Sequence, residues 1–239
     1  MKAISQRLRY WFWYNFLKPK IRPNAGEKTW NERISDRLDK EVEEVLDRYE
    51  TKNKNTMKKI AISSGHGLHI RGASGFIDEV DEARRVVDRV CDLINMSGNN
   101  SVHFHDDVSR SSGDNLRAIV NWHNEQDRDI DVSVHFNSVE QPSANGVETI
   151  CRDISNQELA HKMSNAIAGA SGMNVRASQG GATLRGVQFR TNLFVVNGLQ
   201  SKPMIMLEVC FVSNKRDSEL YNENFEAICN AIAHTLISE

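Results

Sequence analysis

From Lys59 onward, short apolar runs alternate with longer stretches in which apolar residues recur every three or four positions. Lys59–Ser64 (KIAISS) predicts a strand. Glu79–Met96 places Val80, Ala83, Val86, Val87, Val90, Leu93 and Ile94 on one face and predicts a helix. Ser101–His105 predicts a second strand, and Asp114–Asn124 a second helix with Leu116, Ile119, Val120 and His123 along it. Ile130–Phe136 and Gly146–Cys151 read as strands, Gln157–Ala170 as a helix and Phe194–Val196 as a short strand. Pro203–Phe211 (PMIMLEVCF) is too apolar for an edge and belongs centrally, and Asp217–Leu236 predicts one closing helix. This alternation predicts an α/β fold: a central, mostly parallel sheet with helices on both faces.

The chain before this region follows a different pattern. Residues 28–50 carry Trp30, Ile34, Leu38, Val42, Val45, Leu46 and Tyr49 at helical spacing among charged positions. Pro19, Pro23 and Gly26 break the stretch ahead of them. Residues 1–26 hold six basic side chains and no acidic one, with Tyr10, Trp11, Phe12, Trp13, Tyr14 and Phe16 close together. The expectation is a helical extension over 1–56, closed by the polar linker TKNKNT, and the α/β domain over 57–239. A striped helix and a basic aromatic segment both want an apolar partner. Self-association or membrane-interface contact through residues 1–50 is therefore expected.

Composition narrows the class. Net charge is −2, so no overall basic field calls for nucleic acid. The four cysteines form no CxxC pair, which excludes a zinc ribbon or a thioredoxin-type site. No apolar run approaches the ~20 residues of a membrane span. The N-terminus also lacks the aliphatic h-region and cleavage site of a signal peptide. Synthesis in the cytoplasm is the expectation from these two points.

The chemistry gathers where an open α/β sheet places its working site, beyond the carboxyl ends of the strands. His66 follows the first predicted strand in Gly65-His66-Gly67, His135 ends the third, and Glu79 opens the first helix. Glu208 stands amid Met204, Ile205, Met206, Leu207, Val209 and Phe211. An ionised carboxylate there costs several kcal/mol unless it is paired or functional. Two histidines and a carboxylate suit a zinc ion with one open position, and a second carboxylate can move protons. Taken singly, His135 suits a satisfied core histidine and Glu79 a first-turn acid at a helix N-terminus.

Ile62-Ser-Ser-Gly-His66-Gly, Glu79 opening a helix, Asp131-Val-Ser-Val-His135-Phe-Asn137 and Leu207-Glu208-Val-Cys-Phe211-Val-Ser-Asn214 occur here in order. Together they resemble the zinc-dependent N-acetylmuramoyl-L-alanine amidases of the amidase_3 type, found in bacterial wall-remodelling enzymes and phage endolysins. The resemblance spans about residues 58–237, and Asn192–Val196 also fits. It implies one zinc per chain on His66, Glu79 and His135, with Glu208 as general acid/base. The implied substrate is peptidoglycan, cut between N-acetylmuramic acid and L-alanine, so the site of action would be the cell wall, after phage encoding or release by lysis. Arg185 and Arg190 are candidates for stem-peptide carboxylates, and Asn137 joins them as a substrate-binding candidate. Leu68 and Cys210 depart from glycines common in the family, at positions without metal chemistry. The alternatives are a zinc hydrolase of another peptide amide, or a wall-binding or structural protein on an amidase scaffold.

Overall fold

A computed structural model describes residues 57–140, 143–199 and 201–239. The helices expected before residue 57 lie outside the described residues. Six strands form one sheet in the order β2-β1-β3-β6-β4-β5. They are β1 (Lys59–Ser64), β2 (Asn100–Phe104), β3 (Ile130–Asn137), β4 (Glu148–Cys151), β5 (Val187–Phe189) and β6 (Met204–Phe211). Every pairing is parallel except β4 with β6. The apolar β6 run takes an interior place between β3 and β4, as its composition requires.

Alternation along the strands sends successive side chains to opposite faces, and each face has its own cover. On one side Ile60, Ile62, Val132, Val134, Ile205 and Leu207 pack with apolar residues of α1 (Glu79–Met96), α3 (Gln157–Ser171) and α6 (Phe225–Ile237). On the other, Ile150, Met204 and Met206 pack with Ile119 and Val120 of α2 (Ser112–Glu125) and with Val195 and Val196 of α4 (Phe194–Gly198). Asp78 caps α1, its side chain accepting from the backbone N–H groups of Val80 and Asp81. That cap fixes where the helix starts and therefore where Glu79 stands.

Two expectations need correction. Phe194–Val196 is part of helix α4, not a strand. Its β-branched residues suit a strand locally, but burying Val195 and Val196 against α2 decides the outcome. The expected single closing helix is two, α5 (Lys215–Glu223) and α6, broken at Asn224. The Asn224 amide donates to the Leu220 carbonyl at 2.9 Å and leaves the helical conformation. Strand β5, of three residues, is too short to show a period.

On the second face, His123 of α2 is completely buried over the sheet. Its Nδ1 lies 2.8 Å from Asp131 Oδ1 and its Nε2 3.0 Å from Ser63 Oγ. Arg128, also buried, donates to Asp131 Oδ1 at 2.6 Å. The order serine, histidine, aspartate matches a hydrolase triad, but no solvent reaches any of the three. This network clasps α2 to β1 and β3.

Candidate active site

The carboxyl ends of β1 and β3 and the start of α1 meet at one place. Glu79 is buried. Its Oε1 stands 3.4 Å from His66 Nε2 and 3.1 Å from His135 Nδ1. The two imidazole rings meet edge to face, with centroids 5.1 Å apart. Backbone groups hold the carboxylate in place: Ala73 N–H donates to Oε2 at 2.7 Å and Phe136 N–H to Oε1 at 3.1 Å. Burial alone would raise the Glu79 pKa. The hydrogen bonds and charges of His135 and His66 outweigh it and hold the carboxyl well below its ordinary range.

Glycines make this approach sterically feasible. A Cβ on Gly65 would lie 2.0 Å from the His135 ring, and one on Gly72 would lie 2.1 Å from Glu79 Oε2. Neither could be accommodated without moving the side chains concerned.

Glu208 is brought alongside by strand register. His135 pairs with Glu208 across β3 and β6, and Glu208 pairs with Glu148 across β6 and β4. The three side chains therefore share one sheet face. Glu208 Oε2 is buried without a hydrogen-bond partner. Burial first, then the charges of Glu79 and Glu148, raise its pKa well above the ordinary carboxylate value, while Arg190 opposes the shift.

The remaining candidates divide. The Asn137 amide donates to Glu148 Oε1 at 2.6 Å, beside the site. Arg190 lies just past β5 and close enough to Glu208 to act on its charge. Arg185 turns elsewhere, its guanidinium donating to the Val175 carbonyl at 2.6 Å and exposed. Glu148 was not among the sequence candidates. It is buried, 3.0 Å from Arg176 Nε and 3.1 Å from Gln179 Nε2. Glu148 opens a strand of only four residues, so no apolar run sets its carboxylate apart as one does at Glu208.

His66, Glu79 and His135 each offer a ligand atom, and these atoms lie within 4.8 Å of one another. Two ligands held by a tetrahedral zinc at 2.0–2.1 Å stand about 3.3 Å apart. The separations of 3.1 and 3.4 Å fit that geometry. The residues fit a divalent metal.

The α/β fold with this cluster at its strand ends is that of a wall-amidase family. Residues 60–238 match the family described as N-acetylmuramoyl-L-alanine amidase (Amidase_3), and the chain belongs to it. An uncharacterized protein of Clostridium perfringens strain 13 is 24% identical over 188 residues, covering 76% of this chain and 52% of the relative. An uncharacterized 38.4 kDa protein of the same species is 28% identical over 173 residues, covering 69% of this chain and 46% of the relative. The chain spans about half the length of these curated relatives. Among solved structures, the catalytic domain of an endolysin targeting Clostridia difficile superposes with a TM-score of 0.65 at 16% identity, covering 76% of this chain and 98% of that one. The CwlD amidase of Clostridioides difficile, solved with the GerS lipoprotein, gives 0.64 at 21% identity, with coverages of 76% and 97%. These likenesses show a shared fold.

Proposed function

We propose that the chain hydrolyses the amide between the lactyl group of N-acetylmuramic acid and L-alanine in peptidoglycan. His66, Glu79 and His135 would hold one zinc per chain. Zinc bound there supplies Lewis-acid polarisation and lowers the pKa of a bound water to about 7. Glu208 is the proton carrier: Oε2 takes a proton from the attacking water and returns it to the departing L-alanine nitrogen. A C–O bond forms at the lactyl carbonyl as the C–N bond breaks. A carboxyl whose pKa is raised by burial and like charge suits that return step, because it readily holds the proton it must deliver.

Glu148 and Asn137 position this machinery. Glu148 keeps negative charge beside Glu208, and Arg176, Gln179 and Asn137 hold it in place. Arg190, on the same side, suits a stem-peptide carboxylate. We keep Arg185 as a substrate contact only at the outer end of a longer peptide, since its guanidinium is engaged at Val175.

One observation carries the reading. His66, just past β1, and His135 of β3 converge on one oxygen of Glu79, which opens α1, and Glu208 Oε2 beside them is buried without a hydrogen-bond partner. Natural interiors rarely leave such atoms unpaired without a use for them. The test is digestion of purified peptidoglycan followed by labelling of new amino termini. Free L-alanine termini should appear, vanish on chelation and return with Zn2+. New reducing sugar ends without new L-alanine termini would replace amide cleavage by glycan cleavage.

A further inference from the structure

Among the described residues, a second group of side chains can hold a metal: Asp88, His103 and His105. It belongs to different elements from the first group. Residues 101, 103 and 105 alternate toward one face of edge strand β2, the face covered by α1. Ser101 is buried there, its hydroxyl donating to the Cys91 carbonyl of α1 at 3.1 Å. With that contact fixed, the next two positions on the face carry their imidazoles along α1 to Asp88, nearly one turn before Cys91.

Asp88 Oδ1 lies 3.0 Å from His105 Nε2 and 3.4 Å from His103 Nε2. The rings are 5.2 Å apart and tilted by 49°, so both nitrogens address the same oxygen. These separations reproduce those of the first cluster and bracket the roughly 3.3 Å between two tetrahedral zinc ligands. His105 Nδ1 is engaged by Ser64 Oγ at 3.0 Å, which fixes the ring and leaves Nε2 turned to Asp88. That is the outer-shell support expected of a ligating imidazole.

We propose that Asp88, His103 and His105 form a second, exchangeable site for a divalent transition-metal ion. Two imidazoles and one carboxylate on one side of an ion favour zinc, nickel or copper over calcium or magnesium. The exposure of Asp88 and His103 leaves the remaining positions to water and makes this the weaker site. Ser64 is two residues from His66, so the outer shell of this site touches the loop that carries the first.

The experiment is Zn2+ titration of the untagged full chain by calorimetry, paired with metal analysis after exhaustive dialysis. Wild type should saturate at two Zn2+ per chain and retain one. Asp88→Asn with His103→Asn should saturate at one and retain that one, with the weaker affinity lost at least tenfold and wall hydrolysis unchanged. His66→Ala should do the reverse, losing the retained ion and keeping the exchangeable one. Saturation of wild type at one ion removed by His66→Ala, or survival of the weaker class in the double variant, would overturn the second site. If the retained ion survives His66→Ala, the catalytic reading falls, and the double variant still judges this site separately.

Discussion

Asp131 and His135 lie on the same face of strand β3, four residues and about 13 Å apart. Each joins a histidine–carboxylate pair of similar length, 2.8 Å for His123 with Asp131 and 3.1 Å for His135 with Glu79. The environments differ. His123 is sealed, and both its ring nitrogens have partners. His135 keeps a buried, unpartnered Nε2, faces Glu208 across the register, and sits where the strand ends. A satisfied polar network inside a protein holds the fold together. An unsatisfied one at the strand ends invites a ligand. The contrast separates the two histidines where residue type and pairing distance do not.

Substitutions at the strand-end site and at the buried clasp should therefore fail in different ways. The largest effect is expected at the strand-end site. Glu208→Gln should keep the fold and bound zinc but lose about 10²- to 10⁴-fold of wall hydrolysis, since an amide cannot carry the proton. Turnover within a few-fold of wild type would assign the proton transfer to another group. At the clasp, Asp131→Ala strands the buried Arg128 without its carboxylate. Thermal denaturation should register a loss of about 3–5 kcal/mol, as when one partner of a buried ion pair is removed. His66→Ala, in chelated protein, should stay within about 1 kcal/mol of wild type by the same measurement. Equal losses at the two positions would erase the distinction.

A smaller effect follows from protonation. The Glu208 carboxyl is raised above 4.5 in the fold, by burial first and then by Glu79 and Glu148. Below its ordinary range both folded and unfolded chains hold the proton, and the group costs nothing. Above that range the unfolded chain releases the proton before the folded one does, so chelated wild type loses stability as pH rises toward the folded pKa. Glu208→Gln lacks this cost. Its advantage in chelated protein should grow as pH rises above the ordinary carboxylate range of about 4, read by thermal denaturation. An advantage independent of pH would mean that packing, not protonation, sets the difference.

The smallest effect is expected from removing residues 1–56. The candidate ligands and Glu208 all lie in the unit Met57–Glu239, so we propose that this unit works alone. Turnover of soluble muropeptides should be nearly unchanged, while sedimentation or flotation with anionic vesicles shifts. An inactive or insoluble product would make the extension part of the catalytic domain.

Much of this was legible in residue pattern alone. The apolar run around Glu208 marked both an interior strand and a carboxylate with no structural excuse, and β6 supplies both. Helix α1 was readable because its apolar stripe is regular, while the Asp78 cap that fixes its start came only with the structure. What escaped depends on contacts between distant segments. His123 sits in an ordinary helical stripe, and its partners Ser63 and Asp131 are named only by the packing of α2 on the sheet. Val195 and Val196 favour a strand locally but are buried as a helix. Glu148 lies in a strand of four residues, too short for its carboxylate to stand out.

Metal retention tests the central claim most directly. Purified wild type, His66→Ala, His135→Ala and Asp131→Asn would be dialysed exhaustively against metal-free buffer and assayed for zinc per folded chain. The account predicts about one zinc in wild type and in Asp131→Asn, and none in either strand-end variant. Zinc kept by both His66→Ala and His135→Ala, or lost from folded Asp131→Asn, would contradict it.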